Sequence, residues 1–238
     1  MNLSIYFAKI NTQSDRIHNN KFQNSILAKL AELKSQLNAI DDEFNRPITS
    51  DELTKAIKTL KNGKATSNDY ISNEMIKYGM PVLLNPILKL FNLIFMKGEF
   101  PKIWNDSLIT LIHKKGNKLD PSNYRGISLT SNLGKLFNKI IHARILNFVN
   151  VNSLISENQI GFKEKSRTAD HIFTLKTIID NYKTKKNKVF AAFIDLRKAF
   201  DTVWREGLFY LSLKYNFPSK IFKMIYSNIL CIRILVVE

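Results

Sequence analysis

The 238-residue chain contains one cysteine, Cys231, which excludes an internal disulfide framework and a cysteine-based zinc site. Histidine is scarce too, and His18, His113, His142 and His171 are scattered without the spacing of metal ligands. With eight glycines there is no G-x-G-x-x-G. Gly63-Lys64 is followed by alanine, and Lys58 stands where a phosphate-binding loop needs its first glycine, so that motif is excluded as well. No serine sits in a nucleophile elbow, and the lone cysteine has no candidate base beside it. Apolar runs fall short of the ~18 residues of a membrane span; the nearest, Ile225 to Val237, carries Arg233. Met1 to Asn11 is mixed and lacks the small-residue cleavage site of a signal peptide. These absences predict an intracellular protein, in cytoplasm or nucleus, with no membrane partner, and they leave its oligomeric state open.

Positive charge is abundant. Lys and Arg outnumber Asp and Glu by 36 to 20, a net charge of +16, which predicts a polyanionic partner. At 45% hydrophobic residues the chain can still bury a substantial core. Residues 22–44 repeat apolar positions at helical spacing (Ile26, Leu27, Leu30, Leu33, Leu37, Ile40). Arg46-Pro47-Ile48 breaks that pattern, and Thr49-Ser50-Asp51-Glu52 supplies a capping box for a second helix. Residues 1–47 therefore read as a helical extension hinged to a folded body.

Asp69 to Glu74 leads into a short helix expected to end near Gly79, and further helices are expected from Pro81 to Gly98, over 133–148, around 168–182, and at 204–215 and 218–230, with a strand-like run at the end. Leu108 to Ile112 and Gly126 to Leu129 read as two strands. The loop between them carries Lys114, Lys115 and Lys118 and ends at Asn123-Tyr124-Arg125. Such a hairpin is either a solvated turn or a phosphate clamp, since lysine acts on phosphate as a point charge and arginine as a two-toothed donor. From Ser107 to Thr168 ten cations face three acids, with Tyr124 and Phe162 beside them, a pattern that suits a nucleic-acid backbone track. Lys183, Lys185, Lys186 and Lys188 then precede Val189 to Ile194, an apolar run that reads as a strand covered on both faces. Asp195 closes that strand, either as a hydrogen-bonded cap or as a ligand for a divalent cation. Asp201, six residues on, reads as the cap of a following helix.

Four blocks, read in order, resemble the reverse transcriptases of non-LTR retrotransposons of the jockey and RTE kind. They are Ile57 to Lys77; Phe100-Pro101-x-x-Trp104 through Lys114-Lys115-Gly116 to Asn123-Tyr124-Arg125-Gly126-Ile127-Ser128-Leu129; Gln159-x-Gly161-Phe162; and Phe193-Ile194-Asp195-Leu196-x-Lys198-Ala199-Phe200-Asp201-x-Val203. Together they span roughly residues 47–215. The resemblance implies an α+β, helix-rich, right-hand polymerase fold. Its parts would be the extension at 1–47, a fingers region at 48–188 and the first part of a palm at 189–238.

The same resemblance assigns roles. Asp195 matches the family's first metal-binding aspartate, with Leu196 beside it in the nucleotide site, and Phe200 matches the aromatic that rejects a ribose 2′-hydroxyl. Lys114 or Lys115, together with Arg125, matches the cations that hold the incoming dNTP. Gln159, Gly161, Phe162 and Lys163 match the block against RNA template and DNA primer. Two Mg2+ ions would orient the primer hydroxyl and stabilise the transferring phosphoryl group. The sequence also departs from the family. Ser67-Asn68 replaces the usual glycine-containing stretch before Asp69, and Lys163 stands where arginine is more common. The only acids after Asp195 are Asp201, Glu206 and Glu238, so the aromatic-x-Asp-Asp hairpin is missing. The expectation is a truncated RNA-directed DNA polymerase that is inactive alone; a basic RNA-binding remnant without catalysis is the alternative.

Overall fold

Local capping sets most element boundaries in the computed structural model, which describes residues 20–35, 43–164, 166–196, 199, 203–230 and 233–236. Helix α1 runs Asn20–Ser35 and a 3-10 turn covers Glu43–Asn45, and residues 36–42 of the helix expected over 22–44 lie outside the described residues. Helix α2, Ser50–Lys58, begins with the expected capping box. Glu52 N–H donates to Thr49 Oγ1 (3.2 Å), and Thr49 N–H donates to Glu52 Oε2 (2.8 Å). Helix α3, Asn73–Tyr78, is capped by Ser72, whose Oγ accepts from Met75 N–H. Helix α4, Met80–Lys97, places Pro81 in its first turn and stops at Gly98, which is left-handed (φ 72°), a conformation without penalty in glycine.

A short helix α5, Lys102–Asn105, leads directly into β1, Asp106–His113. A turn then returns the chain as β2, Tyr124–Leu129, followed by α6, Asn132–Val151. Later come α7 (Thr168–Thr184), α8 (Arg205–Lys214), α9 (Ser219–Leu230) and β3 (Arg233–Val236). The sheet order is β2-β1-β3, with β1 antiparallel to β2 and parallel to β3.

The chain forms two compact units, one of Met1–Phe148 with Phe200–Glu238, the other Val149–Ala199. The first holds the main core. Leu53 and Ile57 of α2, Phe91 and Phe95 of α4, Trp104, Phe137 and Ile140 of α6, and Ile221 of α9 pack together, with Phe91 edge-on to Trp104 (6.0 Å) and Phe137 (5.2 Å). A second cluster joins Leu30 of α1 to Phe209, Leu213 and Phe222. Helix α1 therefore shares this second core with the C-terminal helices.

Two expectations are corrected. Helix α4, with 18 residues and a mean hydropathy of 1.3, is long and apolar enough to cross a membrane, although no such run was expected. Its stripe of Ile87, Phe91, Ile94 and Phe95 is buried in the protein core, which gives that apolarity an ordinary packing reason. The strand expected over 189–194 is absent. Those residues carry no strand pairing, and Phe190, Phe193 and Ile194 are exposed. A strand is defined by its partners, and among the described residues none pairs with this run.

Candidate nucleic-acid and nucleotide interface

The β1-β2 hairpin is built by local hydrogen bonds. Register pairs Ile109 with Ser128, Ile112 with Arg125 and His113 with Tyr124, and Lys114 N–H extends the ladder by donating to the Asn123 carbonyl (2.8 Å). Side chains alternate across a strand, so Thr110, Ile112 and Lys114 share one face with Arg125 and Ile127, while Ser107 and Ile109 are buried on the other. Lys114 and Arg125 are thus diagonal neighbours, about 7–8 Å apart by strand geometry. Ile112, Lys114, Arg125 and Ile127 are all exposed, leaving this face open to a ligand.

The turn that carries these cations is tied down. Asn123 Nδ2 donates to the Asn117 carbonyl (2.9 Å), Leu119 N–H to Asn117 Oδ1 (2.9 Å), and the Tyr124 hydroxyl to the Lys118 carbonyl (3.0 Å). His113 packs edge-on to Tyr124. Gly116 is left-handed (φ 89°), and a Cβ there would come within 2.7 Å of Asn123 Nδ2. A turn so fixed presents its lysines without a large ordering cost on binding.

A family model for reverse transcriptase (RNA-dependent DNA polymerase) matches residues 112–236, more than half of the chain, and its match begins inside this hairpin. The chain belongs to the reverse transcriptase family. It is 33% identical over 184 residues to a probable RNA-directed DNA polymerase from transposon BS of Drosophila melanogaster, covering 76% of this chain and 20% of that protein. It is 30% identical over 209 residues to the corresponding X-element protein of the same organism (84% and 23%) and 30% identical over 181 residues to the RNA-directed DNA polymerase of mobile element jockey (76% and 20%). This reverse transcriptase segment thus spans about a fifth of the length of the relatives it matches.

The other expected site residues of the reverse transcriptase segment lie in the second compact unit or outside the described residues. Gln159, Gly161, Phe162 and Lys163 lie on an exposed turn where Gln159 Nε2 donates to the Gly161 carbonyl (3.5 Å). Phe162 is left-handed (φ 62°) and 91% exposed, an uncommon conformation for an aromatic residue. Asp195 and Leu196 are exposed in a stretch without regular structure. Phe200 lies outside the described residues. Divalent metal use is implied by the family, but the described residues do not assemble a two-ion site. No three His, Cys, Asp or Glu side chains among them come together as a metal-binding group, so Asp195 is one carboxylate where such a site needs several.

Sequence reasoning missed the role of Arg144, one of the ten cations between Ser107 and Thr168 read as a nucleic-acid backbone track. Arg144 is 6% exposed; its Nε and Nη2 donate to the two Glu52 carboxylate oxygens (2.8 and 2.9 Å), and Nη1 and Nη2 donate to the carbonyls of Phe44, Arg46 and Pro47. Burial pushes the Glu52 carboxyl up, but the Arg144 and Thr49 hydrogen bonds and the Arg144 charge outweigh it and hold the group at about 2. The available signal was position. Arg144 falls on the apolar stripe of Leu136, Phe137, Ile140, Ile141 and Phe148, where a cation needs a buried partner.

Proposed function

We propose that this chain is the fingers region and the first palm segment of an RNA-directed DNA polymerase, and that Lys114 and Arg125 clamp the triphosphate of an incoming dNTP. The observation that carries this reading is the hairpin register, which puts these two cations on one open sheet face; Lys115, next along the chain, falls out of that alternation. Arginine supplies a two-toothed contact to phosphate oxygens and lysine a point charge, the combination a triphosphate needs. Asp195, with Leu196 and Phe200, belongs in this reading to the metal and sugar side of the same reaction. Gln159, Gly161, Phe162 and Lys163 form a template-primer contact, Phe162 offering an exposed ring on which a base can stack.

Asp195 is the single carboxylate among the described residues that this reading assigns to metal, and in this reading the chain alone does not catalyse nucleotide incorporation. Magnesium-dependent, template-directed incorporation by the purified chain, abolished in Asp195→Ala, would refute this. The clamp is tested by equilibrium dNTP binding. Lys114→Ala/Arg125→Ala should weaken it by at least about tenfold, the scale of two charge-assisted hydrogen bonds, while Lys118→Ala on the turn should change it less than about twofold. Equal losses in both variants would sink the assignment.

A second reading, RNA binding without nucleotide chemistry, is favoured by the net charge of +16 and by the exposed Phe162 ring. It predicts salt-dependent RNA binding that weakens when Lys114, Lys115 and Arg125 are changed together and is indifferent to Asp195→Ala. No RNA binding at low salt would eliminate it.

A further inference from the structure

On the sheet face opposite Lys114 and Arg125, a cleft of about 180 Å3 opens between the β1-β2 strands and the N-terminal end of α6. Trp104, Asn105, Ser128, Thr130, Ser131 and Lys135 are among its lining residues, and no carboxylate is. Ser131 caps α6, its Oγ accepting from Gly134 N–H (3.3 Å) and its carbonyl from Lys135 N–H (2.9 Å), so the positive end of a 20-residue helix dipole faces this region. Independently of the helix, Asn105 is only 3% exposed and its Nδ2, a donor, has no hydrogen-bond partner among the described residues. A buried donor without an acceptor costs about 1–3 kcal/mol, so the cleft is short of an acceptor that a ligand can supply.

We propose that this cleft binds a small phosphate-class oxyanion, held by the Lys135 ammonium, the Asn105 amide and the Ser128 and Thr130 hydroxyls at the start of α6. The chemistry is one-sided, because a cation, an unused amide donor and hydroxyls converge where nothing negative lines the wall. Partial burial pulls the Lys135 ammonium below its usual range, and Asp69, which acts on it from outside the lining, opposes that and favours the charged form. An oxyanion bound beside it acts in the same direction as Asp69. The site does not depend on the dNTP clamp, since Ile109 and Ser128 mark the face of the sheet opposite Lys114 and Arg125.

The ligand is either free orthophosphate or the terminal phosphomonoester of a nucleic acid. Titration of the full chain with orthophosphate at constant ionic strength, followed by 31P line broadening, should saturate. Because Trp104 lines the cleft and Trp204 is the only other tryptophan, Trp204→Phe isolates an optical signal from the site that should track the same titration. Lys135→Met and Asn105→Asp should each raise the apparent Kd read from the Trp104 signal about tenfold, with Lys118→Ala, outside both sites, unchanged. Lys135 projects from an exposed helix position, so its variant keeps the test valid if Asn105→Asp perturbs folding. Competition by a 5′-phosphorylated oligoribonucleotide but not its 5′-hydroxyl counterpart would identify a nucleic-acid end as the source; competition by neither would leave free phosphate. The proposal is overturned if sodium chloride reproduces the response, if Lys135→Met binds as the parent chain does, or if Lys114→Ala/Arg125→Ala abolishes the Trp104 response.

Discussion

Replacing Glu52 by glutamine probes the ion pair with Arg144 that stitches α6 to α2. Glu52 is held at about 2 instead of 4.5, and a difference of that size corresponds to about 3 kcal/mol of preferential stabilisation of the charged form in the folded state. Its side chain is 24% exposed, so solvent screening trims this only modestly. The sign follows from the direction. A carboxyl depressed in the folded state adds stability that is fully present above 4.5 and is lost as pH falls toward about 2. Glu52→Gln keeps the shape but leaves the Arg144 guanidinium buried against a neutral partner, a change that costs about 3 kcal/mol or more for a buried pair. The assay is urea unfolding of both chains at pH 7 and at steps down to about pH 2. The parent should be about 3 kcal/mol the more stable at pH 7, and the gap should close between 4.5 and 2. A gap below about 0.5 kcal/mol at pH 7, or one that does not change with pH, would refute the reasoning. Arg144→Lys should fall close to Glu52→Gln, because lysine keeps the charge but cannot reach two carboxylate oxygens and three carbonyls at once.

Gly116→Ala should cost about 2 kcal/mol, since it forces a left-handed alanine against Asn123 Nδ2; a neutral effect on urea unfolding would show that the turn is not fixed as described. Phe91→Ala, at a fully buried position between two aromatic rings, should cost about 3–5 kcal/mol by the same measurement, and a loss near 1 kcal/mol would mean that the core lies elsewhere. Amide hydrogen exchange should protect Ile112 and Lys114 in the hairpin while residues 189–196 exchange freely; strong protection of the latter would restore the strand expected there.

What the sequence made legible follows the range of the interactions involved. The capping box at Thr49, the stop at Gly98 and the apolar stripes of α4 and α6 depend on residues within a few positions, and they appear where periodicity and capping put them. The hairpin strands also came out, β1 longer by two residues at its start and one at its end and β2 longer by two at its start, because an antiparallel pair closes across its own turn. Two features that depend on distant partners did not. Arg144 meets Glu52 across 92 positions, and only its place on an apolar stripe hinted at burial. Packing of α1 against α8 likewise could not be read from the α1 pattern, which shows that a face is apolar but not what covers it.

The same distinction divides the candidate site. Lys114 and Arg125 are set by a ladder whose two strands are joined by a ten-residue connection, so their spacing is a property of the hairpin itself. Asp195 follows six residues whose composition suits a doubly covered strand but which pair with nothing described, and a carboxylate on such a segment has no fixed distance to any other ligand. Metal chemistry needs ligands held to fractions of an ångström, whereas phosphate binding by flexible cations does not. The spacing of the two proposed phosphate cations is therefore set within the hairpin, whereas no strand pairing sets the position of Asp195. In the proposed assignment phosphate recognition is separable from nucleotidyl transfer, because the placing of Lys114 and Arg125 rests on the register of one hairpin.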